Sequence, residues 1–307
     1  MWSTSANRDP CAEPTVSGLK YYDGVPLHPL LLYSLCVFLA VTLLRPMVFA
    51  MLLQPLSDAV VGAAPSEQRR RRKLCESAWR ACLYSVAAVL AIRSVEWRQL
   101  LNLWSGWPHD TPVKPEVLTL YAFYIGMYTH QLGFVAYVDT RSSDHGSILL
   151  HHCLTLVLCL ASWIAGFTRA GTFAMACHDV SDVFLEAAKV LSYSAARIHP
   201  SLARHADGLF LVSTLLFFSL RLVAYPRLVV YSALVEACPR VTCLSPAQCD
   251  EGSAWWASPA FLAFAPPLLA LQLLQLVWGC KMAAALPPII RRAVAQPDLA
   301  VARHRRE

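Results

Sequence analysis

Long, continuously apolar runs separated by short polar stretches dominate the chain. A membrane helix needs about 20 mostly apolar residues to cross roughly 30 Å of hydrocarbon. The pattern predicts seven such helices, at 30–53, 79–95, 117–138, 147–167, 172–193, 208–234 and 259–285. A membrane β-barrel would require alternating apolar and polar residues, which these runs lack. We therefore expect an all-α, polytopic membrane protein.

The composition agrees with lipid as the main solvent. Charged residues make up 15% of the chain and apolar residues 56%, whereas a soluble domain carries roughly 25% charged residues. The first twenty residues are polar, so we expect the first span to act as an uncleaved anchor. Three of the 11 cysteines, Cys238, Cys243 and Cys249, share one polar loop. They can form a disulfide if that loop is lumenal.

Basic residues predict the orientation of the spans. One cluster precedes the second span and another lies in the tail: Arg69, Arg70, Arg71, Arg72 and Lys73, and Arg291, Arg292, Arg303, Arg305 and Arg306. Such clusters stay in the cytosol, and seven spans place both on the same side. This divides the chain into a lumenal segment (1–28), a first anchor (29–56), a basic cytosolic loop (57–78), a region of six spans (79–285) and a basic cytosolic tail (286–307). A basic run is also typical of nucleic-acid binding, but topology accounts for this one, and we expect no nucleic-acid partner.

Ionisable side chains lie inside two successive predicted spans. They are His151 and His152 in the fourth span, and His178, Asp179, Asp182, Glu186 and Lys189 in the fifth. A charged group at this depth is costly, so these groups need partners, a wet cavity, or both. Adjacent helix positions lie about 100° apart, so His151 and His152 cannot both point at one spot.

The fifth span places its ionisable groups along one helix face. Asp182 is four residues from His178 and three from Asp179, so it shares a face with both. Glu186 and Lys189 are three residues apart and can pair with each other. The two aspartates would repel each other if both were ionised, unless an imidazolium or another donor compensates. Such coupling is typical of sites where protons move, and depth allows the histidine pair and Asp182 to share one site.

Two other interpretations fit these ionisable groups. A buried polar network that only joins helices is one, since interhelical hydrogen bonds contribute about 1 kcal/mol each. A metal site is the other, because His178 and Asp182 have the spacing of helix ligands and histidine suits zinc or iron. Membrane di-iron enzymes, however, use several HxxxH and HxxHH boxes, which the remaining histidines do not form. We expect no metal.

Residues 151–193 also follow a recognisable order. The pieces are His151-His152-x-x-Thr155, Ser162-Trp163, Arg169-x-Gly171, His178-Asp179-x-Ser181-Asp182, Leu185-Glu186, Lys189 and Tyr193. They resemble the Lag1 motif of ceramide synthases, within the TLC (TRAM–Lag1–CLN8) domain. Weaker matches extend the resemblance: Glu76-Ser77-Ala78-Trp79-Arg80, Asp139-Thr140-Arg141-x-x-Asp144, and Arg221-Leu222 followed by Tyr225-Pro226.

Three features depart from the common family pattern. Gly166 stands where many members carry asparagine, and the tail is basic where an acidic tail is common. There is no homeobox-like insert between the first two spans. The chain therefore resembles the branch that lacks this insert.

The resemblance implies a TLC-domain helix bundle that transfers a fatty acyl group from acyl-CoA to the amine of a sphingoid base. It implies an endoplasmic reticulum protein with a lumenal amino terminus and a cytosolic carboxy terminus. Acyl-CoA would be a co-substrate, and no cofactor is expected. The expected partners are fatty acyl-CoA, a sphingoid base and membrane lipid; a homo- or hetero-dimer with other ceramide synthases is left open.

Site roles follow from the resemblance together with histidine's titration near neutrality. His151 or His152 would act as base or nucleophile, Asp179 and Asp182 would orient and balance charge, and His178 would support them. Direct base catalysis and a covalent acyl-imidazole route both fit. The candidate substrate-binding residues are Arg141, Trp163, Ser181, Glu186, Lys189 and Arg221. Topology alone suggests Arg141, Arg197 and Arg204 for the CoA phosphates.

The main alternative function is non-catalytic. A TLC-fold protein can sense or transport lipid, or regulate a true synthase. A structural protein associated with the translocon is a third interpretation. Non-enzymatic relatives are expected to lack the complete set of histidines and aspartates, which this chain retains.

Overall fold

The computed structural model describes residues 27–104, 113–138, 144–195, 198–199, 201–237 and 259–295. These residues form seven long helices, with no strand among them. The helices are α1 (Leu27–Val61), α2 (Pro65–Ser94), α3 (Pro115–Tyr137), α4 (His145–Ile164), α5 (Thr168–Ser194), α6 (Ser201–Glu236) and α7 (Pro259–Ala295). The predicted all-α class is confirmed.

Five of the described helices are long and apolar enough to cross a membrane: α1, α2, α4, α6 and Phe261–Arg292 of α7. Helices α3 and α5 contain 23 and 27 residues, which at 1.5 Å per residue also reach across the hydrocarbon. Helix α5 is more polar because it carries the histidine, aspartate, glutamate and lysine side chains noted above. The chain is thus a multi-pass helical membrane protein, and the count of seven spans stays a prediction.

The segment predicted as a basic loop, 57–78, is corrected by the structure, because only residues 62–64 lie outside a helix. Arginine is a good helix former, and Arg71 also stabilises the turn before it. Its Nε lies 3.0 Å from Asp58 Oδ1, and its Nη1 donates to the carbonyls of Gly62 and Ala64 at 2.5 and 2.9 Å. Gly62 has a φ of 110°, which favours glycine. A tight helical hairpin therefore joins α1 to α2.

Wide π turns interrupt α1 and α6 without ending them. They cover Phe49–Leu53 after Pro46 in α1, and Phe218–Ala224 and Pro226–Glu236 in α6. Proline lacks the N–H that would continue an α-helical ladder, and a π turn re-pairs the neighbouring backbone groups. Such turns are frequent at functional sites, and one of these carries Arg221.

The chain divides into two compact units. Unit A draws on Met1–Leu43, Ala87–Cys177 and Val223–Leu274, and unit B on Leu44–Val86, His178–Leu222 and Gln275–Glu307. In unit A, α1 packs closely on α3 at Gly126, where an added Cβ would lie 2.5 Å from the Ser34 carbonyl oxygen. An apolar cluster of Leu103, Trp104, Ala165, Phe167, Ala170 and Ala237 stabilises the same unit. The His151–His152 pair belongs to unit A, and the segment from His178 to Lys189 belongs to unit B.

Candidate functional site

The histidine pair lies in the first half of α4, where Tyr128 of α3 contacts both rings. The centroid of the Tyr128 ring lies 6.0 Å from that of His151 and 5.2 Å from that of His152, in edge-on geometry. The two imidazole rings are 5.7 Å apart and tilted by 52°. The two rings are therefore close neighbours, and Tyr128 contacts both. That they cannot both point at one spot stays a prediction.

The two histidines differ in exposure. His152 is only 4% exposed, whereas His151 is half-buried. The Nδ1 atom of His152 is buried and makes no hydrogen bond to any described residue. Leaving a buried polar atom unsatisfied costs about 1–3 kcal/mol.

Tyr128 is itself held in place within unit A. Its ring stacks on that of Tyr124, with centroids 5.5 Å apart and planes 26° apart. The Tyr124 hydroxyl donates to the Met175 carbonyl on α5 at 3.2 Å. A buried aromatic column thus connects α3 and the first half of α5 to the histidine pair.

In unit B, a buried arginine binds the carboxylate of Asp182. Arg221 of α6 is 3% exposed, and its Nη2 lies 2.6 Å from Asp182 Oδ2. The same nitrogen donates to the His178 carbonyl, and Nη1 donates to Gln275 Oε1 at 3.2 Å. The Phe217 ring covers the guanidinium, with 4.8 Å from Cζ to the ring centroid. Arg221 is therefore the donor that compensates Asp182, a role that the sequence did not assign to it.

The other motif residues at the start of this segment are more deeply buried than Asp182. His178, Asp179 and Ser181 are all buried, while the Asp182 side chain is 26% exposed. The Ser181 hydroxyl donates to the His178 carbonyl at 3.3 Å, and Ser213 of α6 donates to the Ser181 carbonyl at 2.9 Å. Ser181 therefore uses its polar groups within unit B, and its predicted role in substrate binding stays a prediction.

Glu186 lies between two cations. Its Oε1 is 2.7 Å from Lys189 Nζ and 3.2 Å from Arg80 Nε, and Arg80 Nη2 donates to its Oε2 at 3.2 Å. The predicted pairing of Glu186 with Lys189 is confirmed. Arg80 explains why a basic residue ends the Glu-Ser-x-Trp-basic box, because it joins α2 to α5.

The remaining residues of that box stabilise α1 against α2. Glu76 accepts from Arg45 Nη2 at 2.7 and 2.8 Å. Trp79 packs edge-on against Phe49, with ring centroids 6.1 Å apart. The box therefore holds the α1–α2–α5 part of unit B together.

Trp163 belongs to a tightly packed part of unit A. Its ring lies 5.1 Å from that of Tyr121, whose hydroxyl is 3.0 Å from the Ser162 hydroxyl. At Gly171 an added Cβ would lie 1.9 Å from the Tyr121 hydroxyl oxygen, so only glycine fits. The Ser-Trp and Gly pieces of the motif are thus explained by packing, and the predicted binding role of Trp163 stays a prediction.

Arg169 of the same motif forms an ion pair at the helix ends. Its Nε lies 2.6 Å from Glu96 Oε2, and Lys114 Nζ lies 2.5 Å from Glu96 Oε1. These three residues come from the start of α5, the turn after α2 and the residue before α3. The motif arginine therefore fixes three chain segments of unit A relative to one another.

Several sequence predictions concern residues that the structure does not describe. Arg141, Arg197 and the three loop cysteines, Cys238, Cys243 and Cys249, lie outside the described residues. Arg204 is described and is exposed on the first turns of α6. A single site shared by the histidine pair of unit A and Asp182 of unit B stays a prediction. Within the described ranges, no group of three or more histidine, cysteine, aspartate or glutamate residues is placed to hold a metal ion.

Three contributors to these clusters were missed from the sequence: Tyr128, Gln275 and the Arg80 contact to Glu186. Gln275 interrupts an apolar run, and this polar interruption is the sequence signal that could have found it. Arg80 is basic but sits at the predicted start of a span, where an exposed charge is ordinary. Tyr128 gives no signal, because an aromatic residue in a membrane helix is common.

Comparison with known protein families gives the identity of the fold. The TLC domain (TRAM_LAG1_CLN8) matches residues 73–284. The chain belongs to the TLC-domain family. The matched segment contains the histidine pair, the His178–Asp182 segment, Arg221 and Gln275.

Individual relatives match between half and three quarters of the chain. The chain is 39% identical over 171 residues to "Ceramide synthase LOH1" of Arabidopsis thaliana, covering 52% of this chain and 53% of the relative. It is 34% identical over 187 residues to "Ceramide synthase 1 LOH3" of Arabidopsis thaliana, covering 57% and 58%. It is 31% identical over 232 residues to "Ceramide synthase 5" of Homo sapiens, covering 74% and 53%. The chain spans a little over half the length of these curated relatives.

Proposed function

We propose that this TLC-domain protein is a ceramide synthase, an N-acyltransferase that joins a fatty acyl group to a sphingoid base. One observation carries the proposal. The complete set of His151-His152 and His178-Asp179-x-x-Asp182 lies inside the segment that matches the TLC domain, and relatives that match more than half of the chain bear the name ceramide synthase. A lipid sensor, transporter or regulator would have no need of the whole set.

The proposed reaction needs a base. A sphingoid base carries an alkylammonium group, which must lose a proton before its nitrogen can attack a carbonyl. The neutral nitrogen then forms a bond to the acyl carbon of acyl-CoA, the carbon–sulfur bond breaks, and the nitrogen loses a second proton as the amide forms. Of the two protons that the nitrogen gives up, the base passes one to the departing thiolate and the other to solvent. Histidine is the usual side chain for this task near neutral pH.

Exposure favours His151 as the reacting imidazole. A reacting ring has to touch the substrates, and His151 is half-buried whereas His152 is 4% exposed. His152 then acts as the packed neighbour, with Tyr128 fixing both rings. Asp179 and Asp182 would balance the imidazolium charge, in the manner of base-and-orienter sites.

Two chemical routes remain for the histidine. In one it removes the proton while the amine attacks acyl-CoA directly. In the other it attacks the thioester first, releases CoA and carries the acyl group as an acyl-imidazole. Incubation with acyl-CoA alone separates them: the covalent route predicts a burst of free CoA and an acylated protein, and the direct route predicts neither.

The membrane setting suits these substrates. Acyl-CoA brings its acyl group already activated, so no further cofactor is needed. Its phosphates would remain on the cytosolic side, where Arg204 is an exposed candidate contact and Arg141 and Arg197 are further candidates. The acyl chain and the sphingoid tail would lie among the apolar helices. Membrane lipid and a homo- or hetero-dimer with other ceramide synthases belong to the same proposal, as does residence in the endoplasmic reticulum.

The experiment that tests the function uses cells that lack ceramide synthase activity. The intact chain is expressed, labelled sphinganine is supplied, and labelled dihydroceramide is measured. We expect product from the wild-type chain and almost none from His151→Ala. His205→Ala is the matched control, since His205 is exposed on the first turns of α6 and bonds only the local Ser201 carbonyl at 2.9 Å.

Two results would overturn different parts of the proposal. If the wild-type chain accumulates in membranes but makes no dihydroceramide with any acyl chain length, the enzymatic function is wrong and the non-catalytic alternative stands. If product forms and His151→Ala matches His205→Ala, the function stands and the site is wrong.

A further inference from the structure

Arg221 and Gln275 form a buried polar pair that the proposed chemistry does not yet use. Arg221 lies on the π turn of α6 and Gln275 on α7, both in unit B. Arg221 is almost fully buried and Gln275 completely so. An arginine keeps its charge in any protein environment, so burying one among apolar helices is costly unless it binds an anion. The anion that it binds is Asp182.

The contacts around the guanidinium fix its direction. Nη2 binds Asp182 Oδ2 and the His178 carbonyl, Nη1 binds Gln275 Oε1, and the Phe217 ring covers one face. Because the guanidinium is planar and rigid, two held nitrogens and one covered face leave it a single orientation. Arg221 is the ion-pair partner of Asp182 in the described part of the chain, so the orientation of the Asp182 carboxylate depends on Arg221.

The Gln275 side chain makes one hydrogen bond in the described part of the chain. Its Oε1 accepts from Arg221, while its buried Nε2 has no hydrogen-bond partner there. A buried amide with one end unsatisfied is unfavourable by about 1–3 kcal/mol. A glutamine that only filled space in α7 would be better replaced by an apolar residue. The bond to Arg221 gives Gln275 a reason to be polar at this buried position.

We propose that Gln275 and Arg221 are positioning residues for Asp182. Gln275 orients the guanidinium, and the guanidinium holds the Asp182 carboxylate at the angle that acyl transfer requires. This role rests on the proposed ceramide synthase function. It moves Arg221 from the predicted substrate-binding set to the residues that act through another side chain.

A purely structural role makes a different prediction. Removing one partner of a buried hydrogen-bonded pair leaves the other partner unsatisfied and destabilises the fold, even when the new side chain has a similar volume. A structural loss, where there is one, would lower the amount of folded protein in any background. A positioning role lowers turnover per folded molecule, and only while Asp182 is present to be positioned.

The test is a double-mutant cycle on the full-length protein in lipid nanodiscs. The wild type, Gln275→Met, Asp182→Asn and the double variant are compared for kcat and for the KM of acyl-CoA and sphinganine. Methionine keeps the length of glutamine and removes its hydrogen bonds. We expect Gln275→Met to lower kcat about 10-fold, because small misplacements of a catalytic group cost up to about 100-fold. Both KM values should stay within about 3-fold, and the Asp182→Asn background should show no further loss.

Gln272→Met is the matched control, one turn earlier on α7 and only half-buried. We expect its kcat to equal that of the wild type. If Gln275→Met does not accumulate, Gln275→Asn replaces it in the same cycle, because it keeps the amide but withdraws it by one methylene. Arg221→Lys keeps the positive charge but loses the planar guanidinium with its two binding nitrogens. It should therefore lower kcat more than Gln275→Met does.

The outcomes separate this inference from the function on which it rests. A folded wild-type protein without acyltransferase activity contradicts the function, and the positioning role falls with it. An active wild type with Gln275→Met equal to Gln272→Met contradicts the positioning role alone. An equal loss of kcat from Gln275→Met with and without Asp182 also contradicts the positioning role alone.

Discussion

Asp182 and Glu186 are two carboxylates one helical turn apart on α5, and the structure treats them differently. Glu186 is buried and forms ion pairs with two cations, Arg80 from α2 and Lys189 from α5 itself. Asp182 forms an ion pair with one buried arginine, Arg221, through a single carboxylate oxygen, and about a quarter of its side chain is exposed. The first is enclosed by its partners, and the second has a side from which another group can approach.

The contrast distinguishes a charged side chain that stabilises a membrane fold from one that a reacting group can reach. Both residues are equally unexpected in an apolar helix, and the sequence predicts both as site residues, Asp182 to balance charge and Glu186 to bind substrate or pair with Lys189. The number of partners and the remaining exposure distinguish them. We therefore expect Asp182 to control turnover and Glu186 to control stability.

Asp182→Asn should have the largest effect on activity. The amide keeps the shape but removes the negative charge that we propose balances an imidazolium, and we expect kcat to fall about 100-fold or more. Turnover per folded molecule in nanodiscs is the measurement. Asp207→Asn is the control, because it makes the same chemical change at an exposed ion pair with Arg292. Equal turnover in the two variants would contradict the contrast between Asp182 and Glu186.

Glu186→Gln should show the opposite profile. Removing one member of a fully buried pair costs about 3–5 kcal/mol, but Arg80 and Lys189 are each about a third exposed. Water screens them, so we expect the free energy of unfolding to fall by about 1–3 kcal/mol. Thermal unfolding in detergent measures this loss. A kcat per folded molecule as low as that of Asp182→Asn would show that Glu186 also takes part in the reaction.

Lys189→Met should have the smallest effect of the three. Its ammonium is more than a third exposed, and Arg80 still compensates Glu186 after its removal. Partly exposed ion pairs contribute about 0–1 kcal/mol, so the midpoint of thermal unfolding and kcat should both stay close to those of the wild type. A strong rise in the KM of either substrate would instead support the substrate-binding role that the sequence suggested for Lys189.

The helices were largely predictable from the sequence because lipid imposes one simple rule on every span. The run at 117–138 corresponds to α3, and the run at 147–167 to α4, within a few residues at each end. The prediction of a loop is wrong for the basic stretch 69–73, which lies within α2. Arginine favours a helix, and Arg71 has acceptors in Asp58 and the turn that only the fold brings within reach.

The candidate site was predictable where its contacts are local. The pairing of Glu186 with Lys189 follows from helix geometry, which needs only sequence spacing. The Asp182–Arg221–Gln275 contacts could not be predicted, because each residue comes from a different helix. Which side chains meet there depends on how α5, α6 and α7 pack and on the π turn that carries Arg221.

The most direct test of the central claim is the product balance of the purified protein in nanodiscs. Acyl-CoA and sphinganine are supplied, and free CoA and N-acylsphinganine are both quantified by mass spectrometry. We predict one free CoA for each N-acylsphinganine, with both products lost in His151→Ala and retained in His205→Ala. Folded wild-type protein that forms no N-acylsphinganine across acyl chain lengths would contradict the account.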